Sequence, residues 1–147
     1  MANSVHARLA VLLLVDRRGW VLLQERDENA PRAANQWGMV GGHVEDGEDF
    51  EPAAYRELAE ETGIVLPHGT LRLWRDDEYT YPDGHHGRYC IYAAAVDLTD
   101  ADIVVGEGRQ IVFVEPSTIF GLDLAGSSRH FVVDFVTSDL YRELVTR

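Results

Sequence analysis

A chain of 147 residues is long enough for one domain with a real core, and no repeat, low-complexity tract or linker divides it, so residues 1–147 read as a single domain. Hydrophobic residues make up 46% and charged residues 26%, ordinary values for a globular protein, while a formal net charge of −12 argues against binding long nucleic acid by a basic face. The longest apolar run, residues 9–15, is too short to span a bilayer, and the single cysteine, Cys90, excludes an internal disulfide and fits a reducing, cytoplasmic setting.

The first predicted element is a buried strand over residues 7–16. An Asp and two arginines follow it at once, so the apolar start reads as a strand and a turn, not a leader peptide. Asp16-Arg17-Arg18-Gly19 turns the chain, and residues 20–24 return as the second strand of a hairpin. Residues 26–36 are polar, contain Pro31 and predict a loop; residues 37–40 form a short strand that runs into Gly41-Gly42. Asp49 is placed to cap a helix with Pro52 in its first turn, Ala53, Ala54, Leu58 and Ala59 as its apolar surface and Gly63 as its stop. Residues 71–81 and 88–96 predict two strands around a turn at 82–87, and residues 110–114 another strand. A helical turn follows at 116–120. Ser127 or Ser128 then caps a C-terminal helix reaching about Leu144, with Phe131, Val132, Phe135, Val136, Leu140 and Leu144 at helical spacing. Strands first, a helix in the middle and a helix at the end predict an α/β chain with a mixed sheet covered on two faces.

The middle helix carries an unusual charge pattern. At 100° per residue, Glu61 lies about 40° from Glu57 and Glu60 about 60° to the other side, so all three carboxylates share one face. Unpaired, neighbouring like charges on a helix repel. A hard divalent cation reverses the sign of that interaction, because it takes oxygen ligands and bridges carboxylates to phosphates. A lone E-x-x-E-E would be explained as an exposed acidic face.

The surrounding spacing is more specific. Gly42, five residues, Glu48, seven residues, Arg56-Glu57-Leu58, one residue, Glu60-Glu61, one residue and Gly63-Ile64 match G-x5-E-x7-R-E-U-x-E-E-x-G-U throughout, U being bulky aliphatic. The sequence thus resembles the Nudix hydrolase family, over residues 42–64 by motif and over the whole chain by element order.

The resemblance implies a Nudix-type α/β/α sandwich with a mixed central sheet. It also implies an enzyme that hydrolyses a diphosphate linkage in a nucleotide with Mg²⁺, for which Mn²⁺ substitutes. Glu57, Glu60 and Glu61 match the metal-binding carboxylates, and Gly42 a glycine whose carbonyl adds a ligand. Glu48 matches the leading glutamate that supports the metal site, and Arg56 an arginine that pairs with the box glutamates and holds them in place. Metal ions on a diphosphate neutralise its charge and activate water, and a carboxylate then takes the second proton. Glu57 is one candidate for that base. Glu107 is the other, since Gly106-Glu107-Gly108-Arg109-Gln110-Ile111-Val112-Phe113 resembles the MutT-type segment whose loop glutamate reaches the metals. Arg26, after the second strand, matches an arginine that contacts phosphate.

Several features are assigned no chemistry. Trp37 with Val40 resembles W-x-x-P-G-G with valine where proline is usual, and Trp37 is expected to pack. His85 and His86 point oppositely if extended and make a poor chelate. Cys90 is expected in the core. Tyr79, Tyr81, Tyr89 and Tyr92 are suited to stack a base, although cross-strand packing is the commoner use.

The small size suits a MutT-like nucleoside triphosphate pyrophosphohydrolase giving the monophosphate and pyrophosphate. ADP-ribose or another nucleotide sugar stands second: such members commonly carry extra N-terminal strands, and this sequence opens close to its first hairpin. A third reading, of another class, is a non-catalytic nucleotide-sensing module, which the complete carboxylate set argues against. The implied partner is a small nucleoside diphosphate derivative, with neither long nucleic acid nor membrane, and a homodimer is the implied assembly.

Overall fold

The structure is a computed structural model that describes residues 6–146. Its architecture follows from the alternation along β1 (His6–Val15), which is apolar on both faces. Leu12 and Leu14 belong to one buried cluster with Ala53, Ala54 and Leu58 of α1 (Phe50–Thr62). Leu13 and Val15 point the other way, into a cluster with Phe131, Val132 and Phe135 of α3 (Gly126–Val136). One strand therefore serves two cores, and the sheet is sandwiched between helices, the α/β/α arrangement expected from the sequence.

The remaining elements are β2 (Val21–Glu25), β3 (Trp37–Gly38), β4 (Val40–His43), β5 (Arg72–Thr80), β6 (His86–Ala95), β7 (Gln110–Val114), α2 (Pro116–Ile119) and α4 (Asp139–Val145). The sheet is mixed. β1 runs parallel to β6 along its whole length and antiparallel to β4, and β5 closes the outer edge antiparallel to β6. β1 and β2 meet only at Val15↔Val21 beside their turn and then splay. The wedge between them is filled by residues 37–43, with β3 on β2 and β4 on β1. β7 lines the other edge of β2. The sheet thus has two halves, β4-β1-β6-β5 and β3-β2-β7, joined at the Asp16–Gly19 turn.

Three local expectations are corrected. The strand at 37–40 breaks at Met39 and resumes as β4, so Gly41-Gly42 lies within a strand; an added Cβ at Gly41 (φ 141°) would lie 2.3 Å from the Ala10 carbonyl oxygen. The C-terminal helix is two helices. Thr137 ends α3, and the Ser138 side chain caps α4 by accepting the Tyr141 N–H at 3.2 Å. Ser127 and Ser128 are not caps, since Ala125 holds that position and both serines lie inside the first turn. Asp49 does take the N-cap position of α1, but its side chain makes no cap hydrogen bond. Gly63 closes α1 in the left-handed conformation, as its residue type predicts. Cys90 is buried, and burial pushes its thiol up to about 11.

Candidate active site

The wedge determines what α1 faces. β4 ends at His43, and the loop through Glu48 leads directly into α1, so Gly42 lies against the helix. A Cβ at Gly42 would sit 2.6 Å from a Glu57 carboxylate oxygen, so a larger residue there would displace that carboxylate.

Arg56 organises the carboxylates. Its Nε and Nη2 donate to the two oxygens of Glu48 at 2.8 and 2.9 Å, a two-point fork that a lysine cannot make. Nη2 also donates to the His43 carbonyl at 3.1 Å. Nη1 donates to Glu57 Oε1 at 3.1 Å and to Glu60 Oε1 at 3.2 Å. The guanidinium, with help from the Glu45 N–H, holds Glu48 down at about 2.

Glu57 and Glu61 respond in the opposite direction. Burial raises Glu57, with Glu60 and Glu107 adding like charge and Arg56 opposing. Burial likewise raises Glu61 to about 7, with Glu107 and Glu57 adding to the shift. Glu107 reaches this group from the loop before β7. The Gly106 N–H donates to the Glu61 carbonyl at 2.8 Å, and the Glu107 carbonyl accepts the Gln24 amide at 2.9 Å. Gln24 also lies 3.4 Å from Glu61 Oε2, so it ties loop, strand and helix together. Arg26 completes the group, close enough to Glu61 to pull its ionisation down.

These side chains line part of a cleft of about 690 Å³. The rest of its lining is different in kind: Leu9, Val11, Met39 and Tyr89 give apolar surface, joined by Tyr81 and Arg32. Every residue singled out from the sequence for the site, Gly42, Glu57, Glu60, Glu61, Arg56, Glu107 and Arg26, borders this cleft, with Glu48 behind Arg56. Gln24, Arg32, Ser127 and Ser128 were not anticipated. Gln24 carried a usable signal, as a polar residue that directly continues the buried apolar run Val21-Leu22-Leu23. Trp37 packs against the α3 core, as expected, and His85 and His86 form no chelate: His85 borders the cleft and His86 binds Glu78 and Thr80.

The donors fit a hard divalent cation in kind. Oxygen ligands concentrate where two carboxylates are raised by burial and mutual repulsion, a state that a cation relieves. Among the described residues, no three His, Cys, Asp or Glu side chains already converge as a formed metal centre. In this arrangement Arg56 Nη1 instead holds oxygens of both Glu57 and Glu60.

The fold and site define a family. The NUDIX domain profile matches residues 5–134. The nucleoside triphosphatase NudI of Salmonella agona (strain SL483) is 32% identical over 130 residues, covering 84% of this chain and 92% of that protein. The MutT NUDIX hydrolase of Burkholderia pseudomallei superposes with a TM-score of 0.70 at 26% identity, covering 84% of this chain and 93% of that one. The NUDIX domain of Shewanella oneidensis NrtR, solved with ADP ribose, gives 0.72 at 18% identity over 88% and 85%, a likeness of fold. The chain belongs to the Nudix family and is a MutT-like Nudix pyrophosphohydrolase. Members of this family use divalent metal ions.

Proposed function

We infer that the protein hydrolyses nucleoside triphosphates to monophosphate and pyrophosphate with Mg²⁺, residues 1–147 acting as one unit. The observation that carries this is the mixed lining of one cleft: carboxylates with Arg26, together with an apolar and aromatic wall. That lining suits a ligand with a charged tail and a flat head. The 32% identity to a nucleoside triphosphatase supports the same substrate class.

Glu57, Glu60 and Glu61, with the Gly42 carbonyl, would hold Mg²⁺. Bound there, the ion supplies charge neutralisation on the phosphates and a more acidic water. Arg56 keeps Glu57 and Glu60 in place and is in turn held by Glu48. Arg26 binds phosphate oxygens. Glu107, exposed on its loop and facing Glu57 and Glu61, takes the proton from the attacking water. The new P–O bond forms to that water, the anhydride P–O bond breaks, and the departing phosphate oxygen keeps the electron pair. A dimer and a cytoplasmic setting belong to the same reading, and light scattering would read the first.

The test is turnover of a panel with Mg²⁺, resolved by chromatography: canonical and oxidised nucleoside triphosphates, ADP-ribose, sugar nucleotides and dinucleoside polyphosphates. Triphosphates are expected to give monophosphate and pyrophosphate. Exclusive cleavage of ADP-ribose or a nucleotide sugar would overturn the substrate class.

A further inference from the structure

The carboxylate group accounts for one part of the cleft lining. Another part comes from three segments outside the Nudix box: the loop after β2, the β5–β6 hairpin and the start of α3. Tyr81, one residue past β5, is fixed from two sides. Its hydroxyl lies 2.8 Å from Ser127 Oγ and accepts the Ser127 N–H at 3.4 Å. Its ring meets Tyr79 edge-on, with centroids 5.0 Å apart and an interplanar angle of 82°. The Arg32 guanidinium lies over the Tyr81 ring, 4.7 Å from the centroid. Arg32 is held there by Asp83, with both terminal nitrogens 3.2 Å from Oδ2. Its neighbour Ala33 adopts φ 55°, a left-handed conformation unfavourable for an L side chain, so the loop is bent to present Arg32 at this place.

The two sets of contacts differ in strength. Tyr81 is held by part-buried hydrogen bonds and ring packing. The Arg32–Asp83 pair has side chains 41% and 60% exposed, and exposed ion pairs and cation–π contacts are both weak. The arrangement is a rigid aromatic plate with a removable planar cation on top. A flat aromatic ligand fits between two such surfaces, stacking on the ring below and under the guanidinium above. The Ser127 and Ser128 hydroxyls each already have one partner, Tyr81 and the Met39 N–H at 3.0 Å, so the ring and the guanidinium are the principal recognition surface here.

We propose that Tyr81 and Arg32 form a clamp for the nucleobase, with Arg32 a specificity-determining residue that exchanges Asp83 for the base. This rests on the nucleotide reading above. The test compares dGTP and dCTP with inorganic tripolyphosphate, which offers the same anhydride without a base. Binding by calorimetry and steady-state kinetics are both measured, on wild type, Arg32→Ala, Tyr81→Leu, Tyr81→Phe and Asp83→Asn. Arg32→Ala and Tyr81→Leu are expected to lower the nucleotide-to-tripolyphosphate affinity ratio about tenfold, with KM moving more than kcat. Tyr81→Phe, which keeps the ring, retains most of the ratio and shows that loss in Tyr81→Leu is not misfolding. Asp83→Asn, which releases Arg32, raises it. Equal weakening of nucleotide and tripolyphosphate would make Arg32 a phosphate ligand and overturn the clamp, as would an unchanged ratio or a wild type that binds no nucleotide. Nucleotide bound with the expected ratios but never hydrolysed would instead sink the hydrolase reading and leave the clamp standing.

Discussion

Arg56 touches four acceptors at once: Glu48, Glu57, Glu60 and the His43 carbonyl. Lysine keeps the charge but not the fork, so Arg56→Lys is expected to lower kcat/KM roughly 10- to 100-fold, the range for groups that orient metal ligands. Glu60→Gln and Glu61→Gln should each lower kcat by about 100-fold or more, since each removes an oxygen anion from the proposed cation site. Glu61 also sets a pH dependence. It ionises at about 7 in the folded chain against an ordinary 4.5, because burial and two neighbouring carboxylates favour the protonated form. A raised carboxylate binds more protons folded than unfolded, so it opposes folding increasingly as pH rises from about 4.5 through about 7. The metal-free protein is therefore expected to melt higher at pH 6 than at pH 8, by roughly 3 °C for each kcal/mol involved. Mg²⁺ should raise the midpoint more at pH 8 than at pH 6, because at the lower pH protons compete for the site. Calorimetric scans at both pH values decide it; a higher midpoint at pH 8 without metal would count against the shift. These acids were legible in the sequence because their spacing on one helix is fixed by helical geometry. Gln24 was not anticipated, because its partners Glu61 and Glu107 lie 37 and 83 residues away.

Two glycines show how elements, and not only side chains, fix the site. A Cβ at Gly106 would lie 2.6 Å from the Glu60 carbonyl oxygen, where the loop before β7 crosses the end of α1. Gly106→Ala is expected to displace Glu107 and lower kcat while stability falls by about 1–3 kcal/mol, the usual range for overpacking. Unchanged kinetics with an intact fold would remove Glu107 from the chemistry. Gly42→Ala meets the Glu57 carboxylate itself and should disturb the site more than the fold. At this scale the sequence was readable where one local cause acts: Gly63 ends α1, Pro116 opens α2, and the turn at Asp16–Gly19 reverses the chain. It misled where a tertiary contact overrides local pattern. Apolar spacing from Phe131 to Leu144 continues through the break at Thr137 and Ser138, because both helices bury residues in the same core. Ser127 and Ser128 looked like caps, yet their hydroxyls serve Tyr81 and Met39 from segments no local window includes.

For the molecule as a whole, the sandwich was foreseeable from apolar patterning, whereas the parallel pairing of β1 with β6 joins residues 80 apart and leaves no local trace. The profile match stops at residue 134, before α4, yet Leu144 of that helix is buried with Phe135 in the α3 core. Leu144→Ala is expected to cost about 2–5 kcal/mol, readable by denaturant titration. The two halves of the sheet also divide the site between them. β4 and α1 bring Gly42, Glu57, Glu60 and Glu61, while β2 and the loop to β7 bring Gln24, Arg26 and Glu107. Their common joint is the Asp16–Gly19 turn, where the Tyr141 hydroxyl donates to the Gly19 carbonyl. The joint is thus stapled by α4, a helix that contributes no residue to the cleft lining. Tyr141→Phe removes that staple and is expected to change kcat/KM for the proposed nucleotide substrate from the opposite end of the sheet, which steady-state kinetics on the folded variant would read.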